Sequence, residues 1–224
     1  MGNNTLDLND RLIEMGTIPK HNTSNTQGRI LDAAEQLFVE LGYSATSLRA
    51  IANEAEVNLA ATNYHFGTKE GLLAAVIRRH MDPVNKERVY QLNALEESKH
   101  LPTPRNVLEA FFYPLVDNLP NERLPAVLGR IYSEPESLTR PIITEAVAEV
   151  AIRFQTALSR ALPKLSPEEL AWRFHLMTGS MIHLLKFPTP IVSDGGDKHF
   201  RDAIEHLIDY SIAGLSQGTE KDHV

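Results

Sequence analysis

Apolar residues along this chain recur at three- and four-residue steps, the spacing of one face of an α-helix, and no sustained two-residue alternation appears. Ile30, Leu31, Ala34, Leu37, Phe38 and Leu41 share one such face. Gly42 follows them, where a left-handed residue ends a helix at least cost. Thr46 and Ser47 offer side-chain oxygens to cap a second helix, with Leu48, Ile51, Ala52 and Ala55 facing inward. A tight turn through Glu56 and Val57 leads to Asn58, another good cap, and to a third helix of about two turns. None of the three is long enough to be stable alone, so they must share one small core.

The rest of the chain also reads as helices. Leu72, Leu73, Val76 and Ile77 begin a fourth, which Pro83 should end or bend, and a further helix covers about 84–97. Pro102 and Pro104 mark a loop and a restart, Val107, Leu108, Phe111 and Phe112 give the next apolar face, and Pro114 interrupts it. A short helix follows near 124–132, then a loop over 133–136. A long helix over about 140–162 carries a stripe of Ile142, Ile143, Ala146, Val150, Phe154, Ala157, Leu158 and Ala161. Ser166-Pro167-Glu168-Glu169 places a cap, a proline at the first helical position and an acid at the third, and starts a helix reaching about Lys186. The last helix lies near 198–215, after Asp194-Gly195-Gly196. The expected fold is all-α. A flexible arm occupies 1–24, a three-helix helix-turn-helix unit 25–70, a helical-bundle domain for ligand binding and dimerisation 71–216, and a tail 217–224.

The third helix carries the candidate chemistry. With Val57, Thr62 and Phe66 turned toward the first two helices, Leu59, Ala60, Asn63 and Tyr64 face outward. Small residues let the backbone sit deep in a DNA major groove, an outward Asn can pair bidentately with adenine, and Leu59 and Ala60 can touch thymine methyls. Tyr64 and His65 can donate to phosphate. Thr68 caps the next helix, so Lys69 sits in its first turn, where its charge adds to free backbone N–H groups. Thr46, Ser47, Arg49 and Asn58 complete the candidate DNA-binding set, and Arg29 and Lys20 can reach backbone from the N-terminal side.

These residues resemble the N-terminal domain of the TetR/AcrR family of transcriptional regulators. The likeness rests on Arg29-Ile30-Leu31-Asp32-Ala33-Ala34, Thr46-Ser47-Leu48-Arg49-Ala50-Ile51-Ala52, and Tyr64-His65-Phe66 followed by Lys69-Glu70 and Leu72-Leu73. Val57-Asn58-Leu59-Ala60-Ala61 and Asn63-Tyr64-His65-Phe66-Gly67, with a fainter echo in 167–175, resemble the PsrA-like branch, whose members respond to fatty acids. The resemblance implies a homodimer on a palindromic operator, most often as a repressor, with a small apolar effector. One departure stands out: Glu56 occupies a turn position where the family usually has Gly, and a left-handed backbone there costs Glu about 1 kcal/mol.

Composition narrows the picture. A net charge of −7 over 224 residues argues against general coating of nucleic acid, so DNA binding must rest on a local patch and weaken with salt. The absence of Cys removes disulfides and thiol sensing. With no apolar run long enough for a bilayer and no basic-then-apolar opening, a cytoplasmic protein is expected.

In the bundle, Phe111, Phe112, Tyr132, Phe154, Trp172, His175 and Met177 are candidates to line a ligand cavity, with Tyr113 and Met181 beside them, although each singly also fits a core position. Arg130, Arg153, Arg173 or His175 can serve as a polar anchor. Trp172, Leu176, Ser180 and Leu184 form a stripe for pairing two chains through the last two long helices. Two other function classes compete with this reading: a bundle that only binds proteins, and a bundle enzyme. The first leaves the Tyr64, His65 and Lys69 edge without purpose. The second needs paired Glu-x-x-His motifs in a bundle core, and Glu97/His100 and Glu220/His223 are not so placed. No catalytic residue, metal ligand or cofactor is assigned.

Overall fold

The computed structural model describes residues 23–117, 123–187 and 200–216. The predicted arm, apart from its last residues, and the predicted tail and Asp194-Gly195-Gly196 turn lie outside them, as does Lys20.

Helices α1 (Thr23–Leu41), α2 (Leu48–Glu54) and α3 (Leu59–Phe66) pack together and onto α4 (Lys69–Glu96). The bundle continues with α5 (Pro104–Asp117), α6 (Arg123–Ile131), α7 (Glu136–Ala161), α8 (Pro167–Lys186) and α9 (Phe200–Ser216), and the described residues contain no strand. One apolar core runs from Ile30 to Leu215 through both parts. The caps are those the sequence signals: Ser47, Asn58, Thr68 and Ser166 each accept the backbone N–H three residues on. Such a cap typically contributes about 1 kcal/mol.

Two glycines shape the reader end. Gly42 ends α1 at φ 87, and a Cβ there would stand 2.3 Å from an Arg130 guanidinium nitrogen. A Cβ on Gly71, in the first turn of α4, would stand 2.3 Å from the Phe66 carbonyl oxygen, so α3 can end directly on α4 only at a residue without a side chain.

The structure departs from the sequence expectations in several places. Pro83 and Pro114 do not end their helices; α4 and α5 run through them, as α7 runs through Pro141. Each proline removes a hydrogen bond, at about 3 kcal/mol. In α4, buried Met81, Val84, Arg88 and Leu92 hold both sides of Pro83 against the bundle. α1 starts at Thr23, inside the polar run expected to belong to the arm, and α7 starts at Glu136, four residues early. Leu41, expected on the inner face of α1, is exposed. Ile30, Ala34 and Phe38 form the inner face as expected, joined by a buried carboxylate, Glu35, held by Arg79 of α4 at 3.1 Å.

Candidate nucleic-acid interface and ligand cavity

The turn between α2 and α3 has the left-handed residue its chain path requires. Glu56 adopts φ 53, the one positive φ at a non-glycine among the described residues, and Val57 N–H then closes onto the Ala52 carbonyl at 2.9 Å. Asn58 Oδ1 accepts Ala61 N–H at 2.7 Å and sets the direction of α3. Thr62 is fully buried and Val57 and Phe66 pack on the core, which leaves Leu59, Ala60, Asn63 and Tyr64 in solvent. Tyr64 is 84% exposed, and its ring meets His65 edge-on at 5.3 Å.

Three chain segments form the edge beside this face. Lys69 Nζ lies 4.2 Å over the Tyr43 ring and 3.5 Å from the Ser44 carbonyl oxygen, linking the start of α4 to the turn before α2. Ser47 and Arg49 are exposed on that side. Beneath them the Tyr43 hydroxyl donates to Glu70 Oε1 at 3.0 Å. Burial and that bond push the Tyr43 phenol well above its ordinary range. Glu70 is held below the usual carboxylate range by the bond from its own backbone N–H and by those from Tyr43 and Thr68. Two N-terminal amides of α4 are therefore already engaged, Glu70 N–H by its own carboxylate and Gly71 N–H by Thr68 Oγ1, so Lys69 supplies most of this end's attraction for an anion.

Thr46 must be removed from the DNA-facing set. It is 2% exposed and its hydroxyl turns inward, donating toward the Gly42 carbonyl at 2.7 Å and the Leu37 carbonyl at 3.2 Å. The last carbonyls of α1 need a donor, and Thr46 supplies it while Ser47 alone caps α2.

Within the bundle a cavity of about 630 Å³ opens between α4, α5, α6, α7 and α8, within the size range of small-molecule sites. Ile77, Met81, Phe111, Leu115, Phe174 and Met181 form its apolar floor, and Glu134, Glu136, Arg140 and His175 add polar groups. Of the predicted lining residues, Phe111, Tyr132 and His175 belong to the wall. Phe112, Phe154 and Met177 do not: they are buried in packing, with Phe111 stacked edge-on against Phe112 at 5.2 Å and Phe154 at 5.1 Å. Trp172 is likewise corrected, being 61% exposed on the outer face of α8 beside exposed Leu176. The predicted anchors Arg130, Arg153 and Arg173 lie elsewhere: Arg130 against Gly42, Arg153 on Asn93 and Glu96, Arg173 on Glu169.

Two functional candidates escaped the sequence reading. Arg88 of α4 is 2% exposed on the cavity wall, with Nε donating to the Phe111 carbonyl at 2.7 Å and one terminal nitrogen to Asn85 Oδ1 at 3.2 Å. Its signal was present: it stands on the same stripe as Met81, Val84 and Leu92, where a lone cation is out of place. Glu134 lies in the short loop after α6, and nothing in its local sequence shows that it reaches residues 43 and 44.

Comparison with known proteins agrees with this geometry. A family model described as bacterial regulatory proteins, tetR family, matches residues 30–76, and one described as tetracyclin repressor-like, C-terminal domain, matches 109–214. The chain is similar to the uncharacterized HTH-type transcriptional regulator YvkB of Bacillus subtilis, at 46% identity over 55 residues, 25% of this chain and 29% of that protein. Its fold is similar to the fatty acid degradation regulator FadR of Bacillus halodurans, with TM-score 0.66 and 17% identity over 86% of this chain and 97% of that one. It is also similar to NalD of Pseudomonas aeruginosa, the secondary repressor of the MexAB-OprM multidrug efflux pump, with TM-score 0.64 and 21% identity over 86% and 98%. At these identities the two structures speak for the fold alone.

Proposed function

Since the chain belongs to the TetR family of DNA-binding transcriptional regulators, we propose that it binds a palindromic operator as a homodimer and that a small apolar ligand in the bundle alters its affinity for DNA. The observation that carries this reading is the exposed face of α3, where Leu59, Ala60, Asn63 and Tyr64 stand free while Thr62 beneath them is fully buried. In the proposed complex α3 enters the major groove, Asn63 and Leu59 read base edges, and Ser47, Arg49, Asn58, Tyr64, His65 and Lys69 hold phosphates. Residues 25–70 act as reader and 71–216 as sensor and dimerisation domain, flanked by the arm over 1–24 and the tail over 217–224.

Dimerisation uses the outer face of α8 and α9. Trp172 and Leu176 on α8 and Tyr210 on α9 are large and exposed, and Gly179 and Gly214 have open space where a side chain would be. A two-fold pair of this kind sets the two α3 helices about one DNA turn apart. The ligand favours another spacing and releases the operator, as in a repressor. The resemblance to the PsrA-like branch supports a fatty acid or acyl derivative as the effector class, and an apolar cavity floor suits such a chain.

Selection of bound sequences from random DNA, with and without fatty acids of 8 to 16 carbons, tests the whole. A two-fold-symmetric consensus whose recovery falls with a fatty acid is the expected result. Recovery of no consensus would overturn the operator reading, and recovery indifferent to every acid would overturn the effector reading.

A further inference from the structure

Arg88 has a charge that nothing in the described structure balances. Its guanidinium is buried, lies 4.1 Å over the Phe111 ring, and uses two nitrogens on neutral acceptors. The third nitrogen, Nη2, is buried with no hydrogen-bond partner, and no carboxylate comes within ion-pair distance among the described residues. A buried cation without a counter-ion is strongly disfavoured, and proteins ordinarily supply one. Burial pushes this group down to about 10, so it keeps its charge at neutral pH, with Tyr132 the group beside it that most favours the charged form.

The other charged groups on the cavity wall do not offer the same site. Glu134 is engaged with Tyr43 and Ser44, and Arg140 pairs with Glu136 at 2.6 Å on exposed side chains. His175 is exposed. Arg88 is thus the one deeply buried cation among the described wall residues, set among Phe111, Leu115 and Tyr132.

We infer that Arg88 is the anchor for the anionic head, a carboxylate or an acid of similar shape, of an otherwise apolar ligand whose chain fills the cavity beside it. This rests on the proposed ligand reading and deepens it. The apolar floor alone would accept an alcohol, an ester or an amine as readily. The unpaired Nη2 selects against them, because only an anion supplies both the missing acceptor and the missing charge. A thioester of the same chain, which carries no charge at that end, is disfavoured by the same argument.

The test uses the full-length chain and calorimetric titration with decanoate, 1-decanol and decyltrimethylammonium, alongside thermal melting. Decanoate should bind about ten- to hundredfold more tightly than 1-decanol, the range of a charge-assisted hydrogen bond, and the ammonium probe should bind least. Arg88→Met fills the same space without charge and should fold at least as stably. It should lose the preference for decanoate while keeping or improving affinity for 1-decanol, and Arg88→Lys should restore part of it. Equal affinity of wild type for the acid and the alcohol, or undiminished decanoate affinity in Arg88→Met, would overturn the anchor and leave the cavity reading intact. If none of the three probes binds or raises the melting temperature, both readings fail together.

Discussion

Glu134 accepts the backbone N–H of Tyr43 at 2.9 Å, across 91 residues of chain, and its second oxygen accepts the Ser44 hydroxyl at 3.2 Å. The same side chain borders the bundle cavity. One carboxylate therefore touches both the turn that leads into the helix-turn-helix and the space where an effector would sit. The first three helices are thus joined to the bundle by α4, which the sequence suggests, and by α6 and the loop after it, which it does not: α6 packs on α1, and Arg130 stands against Gly42.

Glu134→Ala should uncouple them. Loss of an acceptor for a part-buried backbone N–H is expected to lower stability by about 1 kcal/mol. Allosteric coupling of typically about 1–3 kcal/mol corresponds to a roughly 5- to 150-fold change in operator affinity on ligand binding, and that ratio should shrink toward one. Fluorescence anisotropy on operator DNA, with and without decanoate, reads both arms. An unchanged ratio would assign the coupling to α4 and the α1–α6 packing instead.

Glu56→Gly should raise stability by about 1 kcal/mol, since the residue sits at φ 53 and glycine removes the strain. Urea denaturation checks it. Operator affinity should hold or improve, because the backbone path into α3 does not change.

Tyr64→Ala and Lys69→Ala should weaken binding to all sequences alike, and the lysine change should reduce the slope of log affinity against log salt by about one. Asn63→Ala should instead relax preference at one or two base pairs, about 1–3 kcal/mol each. Gel-shift titrations at several salt concentrations distinguish the classes. Undiminished affinity in the Tyr64 and Lys69 double variant would contradict the phosphate assignment.

Phe112 and Trp172 are both large aromatics and should behave oppositely. Phe112 is fully buried, so Phe112→Ala should cost about 3–5 kcal/mol in folding. Trp172 is exposed on α8, so Trp172→Ala should leave the melting temperature at low concentration nearly unchanged and weaken dimerisation by about 2 kcal/mol or more. Analytical ultracentrifugation over a concentration series measures the second effect.

The Tyr43–Glu70 pair predicts how the reader end responds to pH. Tyr43 titrates above its ordinary value of 10.0 when folded, so the stability it contributes is complete below pH 10 and lost as pH rises further. Glu70 titrates below 4.5, so its contribution is present above that pH and lost as the solution becomes more acid. Tyr43→Phe should flatten the alkaline limb above pH 10 in chemical denaturation, and Glu70→Gln the acid limb below pH 4.5.

Much of this was legible in the chain because the signals are local. Ser47, Asn58, Thr68 and Ser166 cap the helices their positions announce, Glu56 takes the left-handed turn, and Thr62 turns inward to leave Asn63 and Tyr64 outside. Tertiary choices were not legible. Thr46 and Ser47 are adjacent and chemically alike, and only the free carbonyls at the end of α1 decide that Thr46 turns in. Phe111 borders the cavity while Phe112 is packed solid, a difference of one residue around a helix whose rotation is fixed by its neighbours. Pro83 and Pro114 stop a helix by local rules, and packing on both sides overrides them.

That override has a mechanical result. Pro83 has no N–H to give the carbonyl of Arg79, so the ladder of α4 lacks a rung at the residue whose side chain grips Asp32 and Glu35 of α1. Bending the rod at that point has one main-chain bond fewer to strain. A 28-residue strut thus has its weakest point of main-chain bonding at the place where Arg79 ties it to α1, so a bend there costs less than one elsewhere along it.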